Sequence, residues 1–324
     1  MPTFQGSRTS IPYEQAGAGP DIVWVSGGGD SGDSWAAYQV PHFRTEFRNT
    51  TFTQRGVSPA VCSQPLPWTI ADMAIDAAEL IREVCEPAVV VVGLSMGALI
   101  TQQLALDFPD LVRVGISMGG GARSHGWIRY YQQAEIDYRL GGGALDGDMA
   151  VAHYAASLYP ARVLGDPVLW PKIRDELRAW VDSGENEESL IGQWDACQTF
   201  DLTERLPSCT VPLHVFAFAE DVQAPPQHGM EVADLCPTST FHLFEGMGHC
   251  SIYGHEHDRL NAEIEAIARR YAHATLAEPA TDRGDGPRRP GRSPAPRPPL
   301  ARPSGSRPAD PATARRHRRA RRRR

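Results

Sequence analysis

Short apolar runs recur along the chain, each too short for a helix and apolar on both faces. Five of them lie at Asp21–Val25, Ala88–Val92, Val112–Ile116, Leu213–Ala219 and Thr240–Phe244. Continuous apolar runs of this length are typical of strands buried on both sides, as in a parallel sheet. The pattern therefore predicts a sheet that other elements cover.

Between these runs the hydrophobic residues follow the spacing of helices. Thr69 and Asp72 match the pattern of a capping box before one helix, and a second helix is predicted over Ala98–Phe108, ended by Pro109. The last helix is predicted over about Glu256–Leu276. Strands that alternate with helices predict an α/β fold with a mostly parallel central sheet wrapped by helices.

One interval breaks this alternation. Residues 122–212 show four helical patterns and no strand, at Trp127–Tyr138, Asp148–Leu158, Trp170–Val181 and Glu187–Cys197. A helical insertion between two strands predicts a cap over one edge of the sheet, and such caps enclose ligand pockets. The aromatic residues expected to supply the pocket walls are Trp127, Tyr130, Tyr131, Trp170 and Trp194.

Composition changes abruptly after residue 276. Residues 277–324 contain 15 arginines and 4 acidic residues, a net charge of +11; because the whole chain carries −7, residues 1–276 carry −18. The segment has almost no large apolar side chains with which to form a core. We expect an α/β domain over residues 1–276 and a disordered basic tail over 277–324. A basic tail is able to bind nucleic acid or acidic surfaces, but without aromatic residues to stack on bases we favour the interpretation as a passive extension and keep binding as the alternative.

Signals for export or membrane insertion are missing from the sequence. The first residues have no charged and apolar targeting region, and no apolar run approaches the length that spans a bilayer. The 6 cysteines are scattered without a C-x-x-C pattern. We expect a cytoplasmic protein with free thiols and no membrane association.

The candidate chemistry centres on a serine, but the pattern G-x-S-x-G occurs twice, around Ser95 and around Ser117. A nucleophile elbow needs a strand before the serine and a helix after it, so that the turn exposes the hydroxyl group. Ser95 has both neighbours, whereas Ser117 is followed by Gly119–Gly121, which disfavours the start of a helix. The context predicts Ser95 as the nucleophile.

A serine nucleophile needs a general base, and the base needs an acid that orients it. Asp221 lies beside Glu220 in the loop after one predicted strand, and His249 lies in the loop after the next. Carboxyl ends of parallel strands meet at one edge of a sheet. We therefore expect Ser95, Asp221 and His249 to form a triad.

Three other histidines compete for the role of base. His242 falls inside a predicted strand, and His255 and His257 fall near the start of the last helix. Gly254–Asp258 looks like a metal cluster, yet no zinc-ligand spacing accompanies it. Gly27–Gly29 lacks the lysine and the acid of a nucleotide-binding loop. We expect no metal and no other cofactor.

Taken together, these loops resemble those of the α/β-hydrolase superfamily over roughly residues 9–276. The resemblance rests on Ser26–Gly29, Gly93–Gly97, Phe218–Pro225 and Gly246–His249. It implies a hydrolase fold with a helical cap, in which the backbone N–H groups of Gly28 and Met96 form the oxyanion hole.

Several positions depart from the family pattern, among them Ser26, which stands where the family often has histidine. Phe218 stands where many members have glycine, and Thr53 replaces the acid of a D-x-R-G loop that continues to Gly56. In the family that loop shapes the pocket. We expect the departure at Thr53 to affect the choice of substrate and not the mechanism.

The resemblance implies acyl transfer through a covalent intermediate on Ser95, with a small molecule as substrate. We expect a serine hydrolase that cleaves a small to medium ester or lactone. Gly27–Gly29 is similar to a subgroup that cleaves carbon–carbon bonds, and the pair Ser95-Met96 to perhydrolases or cofactor-free haloperoxidases. A ligand receptor of the same fold that keeps its triad is a further alternative.

Overall fold

The computed structural model describes residues 1–182 and 187–272. Within them, nine strands form one sheet in the spatial order β1-β2-β4-β3-β6-β7-β8-β9, with β5 paired to β2. All pairings among β3, β4, β6, β7, β8 and β9 are parallel, whereas those of β2 are antiparallel. The strands are β1 Thr3–Gln5, β2 Thr9–Ala16, β3 Asp21–Val25, β4 Arg48–Phe52, β5 Val61–Cys62, β6 Val89–Leu94, β7 Val112–Met118, β8 Leu213–Phe218 and β9 Ser239–Phe244.

Helices connect and cover these strands. They are α1 Asp33–Tyr38, α2 Val40–Phe43, α3 Ile70–Val84, α4 Met96–Asp107, α5 Gly126–Leu140, α6 Gly147–Leu158, α7 Ala161–Leu164, α8 Leu169–Asp182, α9 Glu187–Gln198, α10 Pro226–Leu235 and α11 His257–Ala272. The predicted α/β fold with a helical cap is confirmed: α5 to α9 lie between β7 and β8. None of the helices described is long and apolar enough to cross a membrane.

The predicted capping box is present at the start of α3. Thr69 Oγ1 accepts the backbone N–H of Asp72 at 3.1 Å, and Asp72 Oδ2 accepts that of Thr69 at 3.0 Å. This exchange satisfies two N–H groups that the first helical turn leaves unpaired. The helix therefore begins where the sequence predicts it.

Alternate residues of the central strands face two hydrophobic cores. Val23 and Val91 belong to one core with α3 and α4, while Trp24 and Val92 belong to the other with α11. Successive side chains of a strand point to opposite faces, so a continuous apolar run buries both sides of the sheet. A third, smaller cluster of apolar residues lies within the cap, among α6, α7 and α8.

The sequence analysis missed several elements. Strand β4 reads Arg-Asn-Thr-Thr-Phe, which looks polar, yet its last four residues are buried. Asn49 there accepts the indole N–H of Trp24 at 3.0 Å and donates to the carbonyl oxygens of Ala16 and Phe47. Its polar groups are paired inside the protein, which a pattern of residue types cannot reveal. The predicted tail over 277–324 lies outside the described residues.

Candidate active site

Ser95 occupies the turn between β6 and α4, at the carboxyl end of the sheet. Its φ of 57° and ψ of −119° are strained for a residue with a Cβ atom, and no other non-glycine residue of the described chain has a positive φ. A Cβ atom at Gly93 would overlap the carbonyl of Gly97, and one at Gly97 would overlap the carbonyl of Val25. Both glycines are required for this sharp turn.

Ser117 has the same sequence pattern but different surroundings. It lies inside β7, fully buried, and its hydroxyl accepts from Gln102 Nε2 at 3.0 Å and donates to the carbonyl of Ala98 at 3.3 Å. No helix follows it directly. The second G-x-S-x-G is part of a strand that packs against α4.

His249 and Asp221 lie together in the loops after β9 and β8. Nδ1 of His249 is 2.7 Å from Oδ2 of Asp221, and their side chains are 4% and 0% exposed. Oδ1 of Asp221 accepts the backbone N–H groups of Gln223 and Ala224, both at 2.8 Å. A carboxylate held in this way makes Nδ1 the protonated nitrogen and leaves Nε2 as the acceptor. Nε2 is buried and has no hydrogen-bond partner in the described chain.

The other candidates for the acid and the base have different surroundings. Glu220 is exposed, and His242 is 2.9 Å from His214 across β8 and β9. His255 packs near Tyr159, with ring centroids 6.0 Å apart, and His257 near Tyr38, 4.9 Å apart. In the part of the chain that the structure describes, no group of three or more metal-ligating side chains comes together.

The glycines after Ser117 contribute to the site. A Cβ atom at Gly119 would lie 3.3 Å from Nδ1 of His249 and 3.4 Å from Oδ2 of Asp221, so the pair packs directly on this backbone. At Gly120 a Cβ atom would approach Ala98 to 2.8 Å. The sequence analysis used these residues only to reject Ser117. The signal available in the sequence was a glycine run at the carboxyl end of the strand next to the elbow.

The predicted oxyanion-hole residues, Gly28 and Met96, line the same cavity as Ser95. Met96 is the first residue of α4, so its backbone N–H belongs to the positive end of a helix. Gly28 follows β3, and its neighbour Gly27 packs so closely that a Cβ atom there would lie 3.4 Å from Cβ of Ser95. The side chain of Trp194, from the cap, lies against Gly28.

Two cap side chains hold the loop that contains Gly28. Gln193 in α9 accepts the backbone N–H of Gly29 at 2.7 Å and donates to the carbonyl of Arg55 at 2.6 Å. Trp180 in α8 donates its indole N–H to the carbonyl of Gly29 at 3.1 Å. None of these three hydrogen bonds was predicted, because the partners lie more than 130 residues apart in the sequence.

The loop of Thr53–Gly56 braces this arrangement and does not line the cavity, contrary to the expectation that it shapes the pocket. Gln54 donates to the carbonyl of Ser26 at 2.6 Å, and the fully buried Arg55 binds Asp76 through two hydrogen bonds of 2.6 and 2.8 Å. A buried guanidinium group needs such a partner. The loop of Thr53–Gly56 therefore supports the segment that follows β3 and is not part of the cavity wall.

A cavity of about 370 Å³ lies between the cap and the carboxyl end of the sheet, lined by Gly28, Ser95, Met96 and His249. Of the five aromatic residues expected in its walls, only Tyr131 and Trp194 line it. Trp127 and Tyr130 are 49% and 74% exposed, and Trp170 packs within the cap. The aromatic wall residues that the sequence analysis missed are Tyr38, Tyr154, Tyr159, Trp180 and Tyr253.

Two further ionisable side chains line the cavity: Cys250, which follows His249 in the sequence, and Asp30, two residues after Gly28. Burial raises the pKa of the Cys250 thiol, which keeps it protonated. Burial also raises the pKa of Asp30 to about 6, although hydrogen bonds from Ser34 and Tyr253 oppose this. Because its thiol stays protonated, Cys250 is a poor nucleophile.

Comparison with known proteins agrees with this architecture. The profile of the alpha/beta hydrolase family matches residues 22–263. A Mycobacterium tuberculosis protein that bears the name non-heme bromoperoxidase BpoC is 27% identical over 259 residues, which cover 75% of this chain and 92% of the relative. A protein of Escherichia coli named carbamate hydrolase RutD is 26% identical over 247 residues, 76% of this chain and 90% of the relative. The structure of Rv0554 from M. tuberculosis superposes with a TM-score of 0.74 at 26% identity, covering 82% of this chain and 94% of that one.

Proposed function

The chain belongs to the alpha/beta hydrolase family, and from this premise we propose that it is a serine hydrolase that cleaves a small to medium ester or lactone. One observation carries the proposal. Nδ1 of His249 is 2.7 Å from the Asp221 carboxylate, and His249 and Ser95 line the same cavity. Nucleophile, base and acid follow in the chain order of elbow-type hydrolases.

In the proposed mechanism, Nε2 of His249 removes the hydroxyl proton of Ser95 while Oγ attacks the substrate carbonyl. Asp221 keeps Nδ1 protonated and stabilises the imidazolium that forms. The backbone N–H groups of Gly28 and Met96 stabilise the oxyanion. His249 then passes its proton to the leaving alcohol, and water hydrolyses the acyl-enzyme to release the acid.

The cavity supports a substrate of limited size. Its volume of about 370 Å³ falls at the lower end of ligand pockets, and aromatic and aliphatic side chains form most of its wall. Such a wall binds acyl or alkyl groups through burial of apolar surface. An ester or lactone with short substituents fits this description better than a polymer or a long lipid.

A second candidate activity is perhydrolysis. The name of the relative BpoC favours it, and so does the pair Ser95-Met96. In this reaction hydrogen peroxide replaces water in the attack on the acyl-enzyme, so that a peracid forms, and the peracid oxidises bromide outside the protein. Bromination of monochlorodimedone that requires both an acyl donor and peroxide would support this activity.

The proposed hydrolysis is tested with p-nitrophenyl acetate and butyrate in excess over the full-length protein. We expect many turnovers per molecule, with activity lowered at least ~10³-fold by Ser95→Ala and changed only a few-fold by the matched control Ser117→Ala. Circular dichroism checks that both variants fold. Release of at most one equivalent of nitrophenol, or loss of activity in Ser117→Ala instead, would contradict the proposal.

A further inference from the structure

Three acidic side chains line the cavity, and no lysine or arginine of the described residues lines it. They are Asp30, Glu135 and Glu176. Glu135 lies 3.0 Å from the guanidinium of Arg139, and Glu176 lies 4.0 Å from Lys172, so each has a basic neighbour. No such ion pair involves Asp30 within residues 1–182 and 187–272.

The hydrogen bonds of Asp30 come from neutral groups. Oδ1 accepts from the hydroxyl of Ser34, and Oδ2 lies 3.4 Å from the hydroxyl of Tyr253. Burial raises the pKa of Asp30 to about 6, which reflects the cost of a negative charge that no nearby cation offsets. At neutral pH the carboxylate is ionised and faces a largely apolar cavity.

Two phenol rings, those of Tyr159 and Tyr253, line the same cavity as this carboxylate, and the hydroxyl of Tyr253 contacts it directly. The charge of Asp30 contributes to the raised pKa values of both Tyr159 and Tyr253, for which burial is the largest cause. Tyr253 is held by the ring of Trp35, with centroids 5.4 Å apart. Lys172 lies over Tyr38, whereas no cation of the described chain lies over Tyr159 or Tyr253. Aromatic faces beside a carboxylate are the surroundings that bind organic ammonium groups.

We propose that the substrate carries a positively charged ammonium group, which sits against Asp30, Tyr159 and Tyr253 while Ser95 attacks the ester carbonyl. This inference rests on the proposed function and names its substrate class: esters of amino alcohols or of amino acids. The ammonium group supplies the positive charge that the wall lacks. A neutral substrate of equal shape leaves the negative charge of Asp30 without a cation in the cavity.

The test compares acetylcholine with 3,3-dimethylbutyl acetate, an ester of the same shape in which carbon replaces the charged nitrogen. We expect kcat/KM of the full-length protein to be at least tenfold higher for acetylcholine, which corresponds to about 1.4 kcal/mol. Asp30→Asn should reduce this ratio to near one. The exposed Asp33, which does not line the cavity, offers a matched control, and Asp33→Asn should keep the ratio. Equal kcat/KM for the two esters, or an unchanged ratio in Asp30→Asn, would overturn the inference.

A binding measurement separates this inference from the proposed hydrolysis. Choline and 3,3-dimethylbutan-1-ol form the matching pair of alcohols, and their binding to the protein is measured by calorimetry without turnover. We expect choline to bind at least tenfold more tightly, and Asp30→Asn to remove the difference. If choline binds preferentially but no ester is turned over, the proposed hydrolysis is contradicted and the ammonium site is not. If choline and 3,3-dimethylbutan-1-ol bind equally, the ammonium site is overturned.

Discussion

Asp221 is buried, whereas Asp30 lines the cavity and is partly exposed, and the two carboxylates have different partners. Asp221 accepts two backbone N–H groups and pairs with His249. Asp30 accepts hydrogen bonds from neutral groups and has no basic partner in the described chain. The partners of Asp221 fix its position beside His249, whereas burial raises the pKa of Asp30 to about 6. These surroundings agree with the proposed roles, Asp221 in catalysis and Asp30 in substrate recognition.

The raised pKa of Asp30 makes a prediction about stability. Between its ordinary value of 3.8 and about 6, the folded protein binds more protons than the unfolded chain, so ionisation of Asp30 lowers the free energy of unfolding as pH rises. Asp30→Asn removes this contribution. Relative to the wild type, the variant should gain on the order of 2 kcal/mol between about pH 4 and pH 7. Urea unfolding at both pH values measures the difference, and a difference independent of pH would contradict the assignment.

At the scale of elements, cap helix α9 contacts the loop after β3, which contains Gly28, the proposed oxyanion-hole residue. Gln193 binds Gly29 and Arg55 at once, and it is fully buried. Because Gly28 precedes Gly29, the position of its N–H group depends on this contact. We therefore propose that the cap, besides covering the cavity, positions the loop that contains Gly28.

Substitution of Gln193 tests this role. Gln193→Ala leaves the N–H of Gly29 and the carbonyl of Arg55 without their partner, so we expect kcat to fall about tenfold or more with a smaller change in KM. Gln198, in the same helix, donates to Gln133 at 3.4 Å and does not contact the loop after β3 among the described residues, so Gln198→Ala serves as the control. Steady-state kinetics together with thermal unfolding make the comparison. Equal effects of the two variants on kcat would show that Gln193 contributes to folding alone.

The difference between local and distant signals explains what the sequence could predict. The elbow of Ser95, the capping box of Thr69 and the central strands depend on neighbouring residues, and they were predicted. The walls of the cavity and the contacts of Gln193 depend on residues that only the fold brings together. Strand β4 was missed because its polar side chains are satisfied by partners from other elements.

At the scale of the whole molecule, two segments of the chain carry net charges of opposite sign. Residues 1–276 carry −18 and residues 277–324 carry +11, while every proposed site residue lies in the first segment. An acidic surface with a basic extension has a strongly asymmetric field. This division predicts that the extension affects association and isoelectric point and not turnover.

Removal of the basic segment tests that division. A chain ending at Ala277 should fold, keep its kcat and have a much lower isoelectric point. If the tail binds nucleic acid, the full-length protein alone should show binding that weakens steeply with salt. Equal, weak binding by both proteins would identify a passive extension. Loss of turnover on truncation would contradict the domain boundary.

The central claim is that Ser95 is the nucleophile, and the most direct measurement is covalent labelling. A fluorophosphonate phosphonylates an activated serine and releases fluoride, and mass spectrometry of the digested protein identifies the modified residue. We expect one adduct per chain, on the peptide that contains Ser95, and no adduct in His249→Ala, because the base is needed to activate the hydroxyl. An adduct on Ser117, or ester hydrolysis by a protein that the reagent never modifies, would contradict the account.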